Sequence, residues 1–478
     1  MLKSIDTGKV VNHNRIRKQN YPYIFIWIVY YAWIIVFTTW WTASPQADIV
    51  LGIKNRTILH SLNLVSSAIF IIFIKKEWFI KTSKTGVIVL LVSMAVFILV
   101  HNRYISLISA IITGLTLGVV NTSLLMPFVF TLNNTEKFYS VLVSFILMNL
   151  MSLFIYYSSL WTSQASIRVD FICLYVIMAG ALSAVWFFNK ADIIHMAKDK
   201  IEKYIPKRVY ITLVINCLFI IFCKGIGKAI LNITLINTEL FIMNWHYIGG
   251  LIGCLIYFFI YAYSIHSIHY AWNITFGSTI IGLIFNTFVN HSPVFAILFS
   301  VFLGIGSTMG MINVYYIFGV IGKKYNSMKY IRLSIIFIGI CGGIAAIAAG
   351  SFINHFSSEI FIEISTITSI FIMMILLILS PFFSRVYYKD QWAQDSQKIE
   401  INYENIHKYE KYCMTNREIE VCELMLSGYT LRQISAMLSI AYSTVNTYAT
   451  NIYRKLNINS RAELFMLFKD YLEIEKGL

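Results

Sequence analysis

Long runs of apolar residues, broken by short polar gaps, recur from the start of the chain to about residue 386. Because the apolar core of a bilayer is about 30 Å thick and needs about 20 helical residues to cross it, each run predicts a membrane-spanning helix. The pattern therefore predicts an all-α fold whose main part is a polytopic helical membrane bundle of twelve spans. The spans are predicted at residues 21–43, 56–74, 85–101, 104–130, 138–160, 169–188, 209–231, 245–264, 273–290, 293–320, 330–352 and 360–386.

The positive charges within residues 1–386 are distributed unevenly between the two sides of this bundle. If the spans alternate in direction, 21 of the 27 Lys and Arg lie on the side of the N-terminus. By the positive-inside rule this side is the cytoplasm, and an even number of spans returns the C-terminus to it. We therefore predict a multi-pass protein of the bacterial plasma (inner) membrane, with the N-terminal segment 1–20 and the C-terminus both cytoplasmic.

The longest gap on the predicted inner side is 189–208, after the sixth span. Its isoleucines recur at helical spacing among lysines, which predicts an amphipathic helix at the membrane surface. The gap divides the module into halves, 21–188 and 209–386. This layout resembles the major facilitator superfamily, in which two six-helix halves enclose a central cavity. The resemblance is architectural and covers about residues 20–386.

The module departs from this family where transport would need specific residues. The loop after the second span reads KKEWFIKTSKTG, without the Asp and the Arg residues of the family's signature there. No Asp or Glu lies near the middle of any predicted span, whereas proton-coupled transporters usually carry an intramembrane carboxylate. The sequence therefore indicates no coupling site for transport.

Four side chains inside the spans are candidates for ligand binding, and each also has a structural interpretation. Lys224 and Lys228 share one face of the seventh span, where they either extend to the outer interface or contact an anionic ligand. Asn121 either lines a pocket or bridges two helices. Trp33 either stacks on an aromatic or apolar effector or anchors its helix at the interface.

Pairs of glycines four residues apart occur on three spans, namely Gly114 with Gly118, Gly249 with Gly253, and Gly306 with Gly310. Small residues at this spacing lie on one helix face and allow two helix backbones to approach closely. We predict that these pairs are packing notches.

The composition agrees with a membrane protein and excludes a water-soluble enzyme. Hydrophobic residues make up 58% of the chain and charged residues 13%, against about 25% charged residues in an ordinary soluble domain. The seven cysteines are scattered without metal-ligand spacing. Since no nucleophile–base pair, metal cluster or phosphate-binding loop is recognisable, we predict no catalytic residues, no metal, no cofactor and no enzyme activity.

The pattern changes after residue 386. Residues 387–412 alternate charged and aromatic residues and are predicted to be a linker, which is followed by a small domain at 413–478. Three capping boxes in this domain each place a hydroxyl residue three positions before Glu or Gln, which predicts three helix starts. They are Thr415 with Glu418, Thr430 with Gln433, and Ser460 with Glu463. With one helix between them, the predicted helices cover 416–427, 431–438, 442–456 and 461–473.

The third of these helices has one apolar face and one face of hydrogen-bonding side chains. A short helix, a tight turn and such a longer helix form the layout that inserts a recognition helix into the major groove. The segment MTNREIEVCELMLSGYTLRQISAMLSIAYSTVNTYATNIYRKLNINSRAEL resembles the LuxR-type four-helix DNA-binding domain. The matching residues are Thr415, Arg417, Glu418, Val421, Gly428, Ile434, Leu438, Ile440, Thr444, Val445, Ile452, Lys455, Leu456, Arg461 and Glu463.

The resemblance implies that double-stranded DNA is a partner and that the third helix is the recognition helix. It implies base contacts from Asn446, Thr447 and Thr450, and we predict phosphate contacts from Arg432, Ser443, Thr444, Arg454 and Lys455. Asn pairs with adenine and the Thr methyl group meets the thymine methyl, which favours sites containing A and T. The chain departs from the family pattern at Ala441, where a Ser cap is usual, and at Tyr448, where His is usual.

The last helix offers more apolar surface than one small core needs, through Phe465, Phe468, Tyr471 and Leu472. In the resembled family this helix commonly supplies a dimer contact, whereas the same side chains also suit the domain's own core. Residues 405–478 carry a net charge of only +1, so a single copy is predicted to bind DNA weakly. A homodimer through this domain would raise the affinity.

Together these features predict a membrane-embedded one-component transcriptional regulator. The membrane module would sense a small molecule that is apolar, aromatic or anionic, and the C-terminal domain would bind DNA sequence-specifically. The main alternative is a transporter resembling the major facilitator superfamily with an appended regulatory DNA-binding domain. In a third interpretation the C-terminal domain is a protein-interaction module.

Overall fold

The computed structural model describes residues 16–40, 49–50, 53–75, 78–99, 103–161, 175–188, 207–238, 242–263, 267–325, 328–341, 344, 348, 360–390, 412, 414–426, 429–438 and 440–468. The chain divides into two compact units, Met1–Ala393 and Gln394–Leu478. Residues 189–206 of the predicted surface helix and most of the predicted linker lie outside the described residues.

The first unit is helical throughout nearly all of its described length. Its helices are α1 (Tyr21–Trp40), α2 (Asn55–Phe73), α3 (Phe79–Leu99), α4 (Arg103–Phe130), α5 (Asn134–Trp161), α6 (Tyr175–Phe187), α7 (Lys207–Thr238), α8 (Ile242–Tyr263), α9 (Ser267–Asn286), α10 (Pro293–Tyr325), α11 (Met328–Ser334, continued by a π-helical turn at Ile335–Cys341) and α12 (Phe361–Asp390). A two-stranded antiparallel hairpin, β1 (Ile49–Val50) and β2 (Ile53–Lys54), lies between α1 and α2. The all-α prediction did not include this hairpin.

A helix covers at least part of each predicted span, and six of the described helices are long and apolar enough to cross a membrane. Their apolar stretches are Phe79–Val96, Leu107–Phe130, Asn134–Phe154, Tyr210–Thr234, Met243–Ala262 and Pro293–Lys324. Shorter apolar helices lie at Ser61–Phe73, Tyr175–Phe187 and Glu363–Leu379. The unit is therefore a helical membrane protein, and the crossing of the bilayer by all twelve helices stays a prediction.

Several helices extend beyond the apolar run from which they were predicted. Helix α3 begins at Phe79, six residues before its predicted span, and α7 continues to Thr238, seven residues after its span. Helix α12 ends at Asp390, inside the predicted linker. An apolar run marks only the part of a helix that suits lipid, while the backbone hydrogen bonds of a helix continue through polar residues beside the membrane.

The glycine pairs are packing notches, as predicted. A methyl group at Gly118 of α4 would lie 2.6 Å from the amide nitrogen of Ser67 and 2.7 Å from the carbonyl oxygen of Asn63 on α2. At Gly114 it would lie 2.9 Å from the Leu59 carbonyl oxygen. Gly249 of α8 lies still closer to the backbone of α10 at Val301. Any larger side chain at these glycines would push the paired helices apart.

The second unit contains α13 (Asn416–Leu426), α14 (Leu431–Leu438), α15 (Tyr442–Leu456) and α16 (Arg461–Leu467). Apolar residues from all of these helices form one core, among them Val421, Ile434, Val445, Ile452 and Leu464. The described part of the last helix ends at Leu467, before the predicted end at 473, and residues 469–478 are outside the described part of the chain.

Local hydrogen bonds fix the helix starts of this unit, and all three predicted capping boxes are confirmed. The Thr430 amide donates to Gln433 Oε1 at 2.8 Å, and the Gln433 amide donates to Thr430 Oγ1 at 3.4 Å. The box that begins at Thr415 makes the corresponding bonds. At the third box the Glu463 amide donates to Ser460 Oγ at 3.3 Å, and Glu463 Oε2 accepts from the Asn459 amide at 3.0 Å. Helix α15 has Ala441 at its N-cap position and therefore no side-chain cap, as the departure from the family pattern indicated.

Candidate functional site

A cavity of about 230 Å³ lies between the first helical half of the membrane unit, α1–α6, and the second, α7–α12. Its walls differ: the first half contributes mostly polar side chains and the second half mostly apolar ones. The lining includes Tyr31, Asn63, Ser67, Asn121 and Thr122 on one side, and Ile221, Met311, Val314, Tyr315, Ile335 and Ile338 on the other. The cavity is large enough for a small organic molecule, since an apolar cavity of about 150 Å³ already accommodates benzene.

A chain of hydrogen bonds runs behind the polar wall and joins three helices. The Tyr30 hydroxyl on α1 donates to Asn121 Oδ1 on α4 at 2.8 Å, and Asn121 Nδ2 donates to Asn63 Oδ1 on α2 at 3.0 Å. These bonds fix the orientation of both amide groups. The two interpretations of Asn121 are therefore both fulfilled, because it bridges helices and also lines the cavity.

An aromatic cluster that includes two lining residues crosses the boundary between the halves. The ring centroids of Tyr31 and Tyr315 are 5.6 Å apart, in an edge-to-face arrangement. Trp27 stacks on Tyr31 at 3.9 Å and on Phe128 at 3.7 Å, and it meets Tyr315 edge-on at 6.1 Å. This cluster joins α1 and α4 of the first half to α10 of the second.

Of the four predicted ligand-binding residues, only Asn121 lies on this cavity. Trp33 is fully buried, and its ring stacks with Tyr30 at 6.3 Å. Lys224 lines a separate pocket of only about 10 Å³ together with Ser307 and other residues of α7, α9 and α10. Lys228 is exposed and lines neither of these pockets. The sequence missed Asn63, Tyr31 and Tyr315, because apolar spans contain many such residues and nothing local distinguishes those that face inward.

Three cations hold the two halves together at one end of the bundle, where α1, α5 and α11 begin and α2, α4 and α10 end. We call this the basic end. Lys137 Nζ donates to the Gly319 carbonyl oxygen at 2.9 Å, and Lys323 Nζ donates to that of Leu132 at 2.9 Å. Arg332 donates from Nε to the Ile71 carbonyl oxygen at 3.1 Å and from Nη2 to that of Ile74 at 3.2 Å.

Three of the four acceptor carbonyls, those of Ile71, Ile74 and Leu132, suit a cation because they lie at helix ends. The carbonyls in the last turn of a helix have no partner within the helix and carry partial negative charge, so cations bind there favourably. Ile71 and Ile74 are at the end of α2, and Leu132 follows the end of α4. The basic end is thus closed by contacts between halves that require no carboxylate. The sequence did not predict them.

A buried carboxylate organises the same end within the first half. Glu136 is fully buried and accepts hydrogen bonds at 2.8 Å from the Arg17 amide, the Asn20 side-chain amide and the Asn133 amide. The Glu136 amide in turn donates to Asn133 Oδ1 at 2.7 Å. Asn133 and Glu136 therefore form a capping box at the start of α5, and their spacing was a signal from which the sequence could have identified them.

In the second unit, α15 exposes a row of polar side chains. The predicted base-contact residues Asn446, Thr447 and Thr450 are all exposed on it. The Thr447 hydroxyl donates to the Ser443 carbonyl oxygen at 3.0 Å, and the Thr450 hydroxyl donates to that of Asn446 at 2.9 Å. Because both hydroxyl protons are used inside the helix, the two threonines retain their methyl groups and oxygen lone pairs for an outside partner, beside the amide of Asn446.

The predicted phosphate-contact residues fall into two groups. Arg432, Ser443, Thr444 and Arg454 are exposed, and Arg454 bonds within its own helix to Asn451 at 3.2 Å. Lys455 instead donates from Nζ to Glu418 Oε2 at 2.7 Å, with 26% of its side chain exposed. This ion pair ties α13 to α15, so the ammonium group of Lys455 already has a partner within the unit.

The ion pair and the cap also fix the charge state of Glu418. Burial alone would raise the pKa of this carboxyl, but hydrogen bonds from Lys455 and Thr415 outweigh it and hold the pKa below its ordinary value. The pKa of Glu463 is likewise lowered, by the Asn459 amide and the Ser460 hydroxyl. Both capping carboxylates are therefore ionised at neutral pH.

With this geometry established, comparison with known proteins gives the second unit its family. Residues 413–468 match the family model described as bacterial regulatory proteins, luxR family. The C-terminal unit carries a LuxR-type helix-turn-helix domain. The match covers the four helices α13–α16 and their caps.

Curated relatives match short stretches of this chain. An HTH-type transcriptional regulator in the exeN 3′ region of Aeromonas salmonicida is 44% identical over 59 residues, which are 12% of this chain and 30% of that protein. The transcriptional regulatory protein DegU of Brevibacillus brevis is 35% identical over 71 residues, 14% of this chain and 30% of its own length. The chain thus spans less than a third of these relatives.

The membrane unit has solved structural neighbours. A structure of the E. coli fucose:proton symporter FucP aligns with a TM-score of 0.52 and 13% identity, covering 77% of this chain and 99% of that one. A major facilitator superfamily transporter structure, FucP in the outward conformation, aligns with a TM-score of 0.51 over the same shares. At this identity the likeness shows the fold alone, which is that of the major facilitator superfamily.

Within the LuxR-type domain, the structure decides between the two interpretations of Phe468 on the predicted dimer helix. Phe468 is buried in the domain's own core, with 2% exposure, and Phe465 is partly buried against that core. Met466 and Leu467 are exposed on α16. Tyr471 and Leu472 lie outside the described residues, and the homodimer stays a prediction.

Proposed function

We propose that this protein is a membrane-embedded one-component transcriptional regulator. One chain combines a membrane unit of the major facilitator fold with a LuxR-type helix-turn-helix domain. The observation that carries the proposal is the exposed face of α15, where Asn446, Thr447 and Thr450 offer an amide and two methyl groups to a partner. These groups match the edges of A·T base pairs in the major groove.

In this proposal all twelve helices span the bacterial plasma membrane, and both termini and the helix-turn-helix domain are cytoplasmic. The distribution of Lys and Arg supports this orientation. Residues 387–412 link the module to the domain at 413–478. Because the last helix of the membrane unit continues to Asp390, at most residues 391–412 could be a flexible coil, and such a coil would span about 25 Å. DNA would therefore be bound close to the membrane.

Signal transfer would use the two features of the membrane unit described above. A small molecule in the cavity between the halves contacts both of them, so it stabilises whichever arrangement of the halves it fits better. The cation contacts at the basic end join the same halves. A ligand that favours one arrangement of the halves would therefore favour either the formation or the loss of these contacts. A homodimer of the C-terminal domain would then bind DNA in one arrangement and not in the other.

The test is genome-wide capture of DNA crosslinked to the tagged full-length protein in its native membrane. We expect discrete sites that disappear in the triple variant Asn446→Ala, Thr447→Ala, Thr450→Ala. The matched control is Arg417→Ala, which removes an exposed cation from α13 and should leave the sites in place. Equal enrichment in the triple variant would contradict DNA recognition by α15 and favour a protein-interaction role for the domain.

A transporter with an appended regulatory domain is the second candidate, because a fucose:proton symporter shares the fold over 77% of this chain. Against it, no charged residue is among the described residues that line the cavity. The two functions separate in one assay. Proteoliposomes of a transporter accumulate or release a solute that binds in the cavity, whereas those of a sensor bind it without net movement.

A further inference from the structure

The polar wall of the cavity has hydrogen-bond donors that the protein itself does not use. Asn121 donates one amide proton to Asn63 Oδ1, and its own Oδ1 accepts a hydrogen bond from the Tyr30 hydroxyl. The second amide proton of Asn121 and both amide protons of Asn63 have no acceptor among the described residues. Both asparagines are only partly buried and line the cavity, so these protons can donate to an oxygen or nitrogen lone pair of a molecule inside it.

The charge of that partner is limited by what surrounds it. Among the described lining residues none carries a charge. Lys224 lines the other, much smaller pocket. At the basic end Lys137, Lys323 and Arg332 donate to backbone carbonyls. Moving an ion from water into such a low-dielectric site without a counter-ion is strongly unfavourable. An anionic ligand, which the lysines of α7 had suggested, has no counter-charge in this lining.

The apolar wall and the volume of the cavity indicate the apolar part and the size of the bound molecule. Ile221, Met311, Val314, Ile335 and Ile338 form an apolar surface that faces the two asparagines. The rings of Tyr31 and Tyr315 border the same space, where an aromatic ligand can stack or meet them edge-on. A volume of about 230 Å³ exceeds the roughly 150 Å³ that accommodates one benzene ring.

We propose that the cavity binds an uncharged molecule of one or two rings that carries a hydrogen-bond acceptor. The acceptor faces the amide groups of Asn63 and Asn121, and the rings lie against the apolar wall between Tyr31 and Tyr315. This rests on the proposed function in so far as the occupant is the effector of the regulator. The chemistry of the cavity itself is independent of whether the domain binds DNA.

A thiol placed in the cavity measures which charge the site accepts, and the measurement does not require the ligand to be identified. Ser67→Cys is nearly isosteric and lies on the polar wall. In full-length protein with the native cysteines replaced, held in nanodiscs, this thiol is reacted with benzyl, sulfonatoethyl or trimethylammonioethyl methanethiosulfonate. Mass spectrometry gives each rate, which is normalised to the rate at Lys329→Cys, an exposed position of α11.

We expect the neutral benzyl reagent to be favoured over both charged reagents by at least about tenfold at Ser67→Cys relative to Lys329→Cys. Adding Asn121→Asp should raise the relative rate of the cationic reagent, because it places a carboxylate in the lining. Adding Lys224→Met should change none of the rates. Similar normalised rates for all three reagents, no reaction at all, or a fall in the sulfonate rate with Lys224→Met would each overturn the proposal.

The same modified protein separates this inference from the proposed function. DNA retained by the nanodisc-bound protein is measured before and after the benzyl group is attached. If the neutral reagent is selected and DNA retention changes, the occupied cavity is coupled to the domain. If the neutral reagent is selected and DNA retention does not change, the ligand class stands and the regulatory coupling fails.

Discussion

The two units of this chain satisfy their polar groups over very different distances in sequence. In the LuxR-type domain, Thr430 and Gln433 or Ser460 and Glu463 bond to each other across three positions. In the membrane unit, Lys137 bonds to Gly319, 182 residues away, and Arg332 bonds to Ile71, 261 residues away. Short-range bonds fix where a helix begins, whereas long-range bonds fix how finished helices are arranged. Each prediction below changes one kind of bond.

The largest effect is expected where long-range bonds are removed from the basic end. The double variant Lys137→Met, Arg332→Met loses charged hydrogen bonds that join the halves, each worth about 1.5 kcal/mol or more. We expect the closed arrangement to lose about 3 kcal/mol relative to the open one. Electron–electron distances between spin labels at Lys75→Cys and Lys329→Cys, both exposed, should shift to longer values.

Lys81→Met is the control for this change, because Lys81 is exposed and lies near the basic end at the start of α3. Its distance distribution should match that of the unaltered protein. An unchanged distribution in the double variant would show that the aromatic cluster of Trp27, Tyr31 and Tyr315 holds the halves together without the cations.

A smaller effect is expected from the ion pair between α13 and α15 of the LuxR-type domain. Lys455→Met leaves the Glu418 carboxylate, which is 5% exposed, without its cation. We expect a loss of about 2 kcal/mol in the stability of this domain, since an unpaired buried charge is costly. Hydrogen exchange of the amides in 414–468, measured on the full-length protein, reports it.

The matched control breaks an exposed ion pair in the same unit. Arg417→Met removes the partner of Glu420, and 60% of the Arg417 side chain is exposed. Surface pairs contribute about 0.2 to 1 kcal/mol. Equal changes in exchange for both variants would mean that the partly buried pair of Lys455 and Glu418 stabilises the domain no more than the exposed pair does.

The lowered pKa of Glu418 makes the stability of the domain depend on pH in the acidic range. A depressed pKa means that the stabilisation is present above the unfolded value of about 4.3 and is lost as pH falls through the lower folded value. Glu463 acts in the same direction. The protection factors of the amides in 414–468, which correct for the pH dependence of intrinsic exchange, should therefore fall below about pH 4.3, and Glu418→Gln should make this dependence shallower. A dependence that is unchanged by Glu418→Gln would assign the effect to other carboxyls.

The smallest expected effect is a gain in the stability of the LuxR-type domain. The N-cap residue of α15 is Ala441, which offers no side-chain cap, and Ser at a helix N-cap is better than Ala by about 1 kcal/mol. Ala441→Ser should therefore slow amide exchange in α15 without altering which DNA sites are bound. A change in the bound sites would indicate that the residue at 441 also positions the recognition helix on DNA.

The same contrast explains which features could be predicted before the structure. The starts of α13, α14 and α16 followed from capping boxes, because both partners of each box lie within one turn. The bounds of α15 followed from its apolar period. In the membrane unit the apolar runs located the helices, but α3 and α12 extend beyond them into polar residues. The distribution of Lys and Arg predicts that both termini are cytoplasmic, and this orientation remains a prediction.

What the sequence could not identify is the partner of each buried polar group in the membrane unit. Asn63, Asn121 and Asn216 look alike along the chain, yet Asn63 and Asn121 bond to each other and line the cavity, whereas Asn216 does not line it. Lys224 appeared to be a ligand contact, and Lys137 appeared to be an ordinary cation beside the membrane. Packing places Lys137 between the halves and leaves Lys224 off the cavity.

By itself the sequence determined the helices of both units, and in the LuxR-type domain the caps and the exposed face of α15, because these depend on residues within a turn or two of each other. Only the tertiary structure decided the cavity, the Tyr30–Asn121–Asn63 chain and the closed basic end. Those features require helices that lie far apart in the chain to be brought together. The energy of bringing them together comes from packing, which no local pattern records.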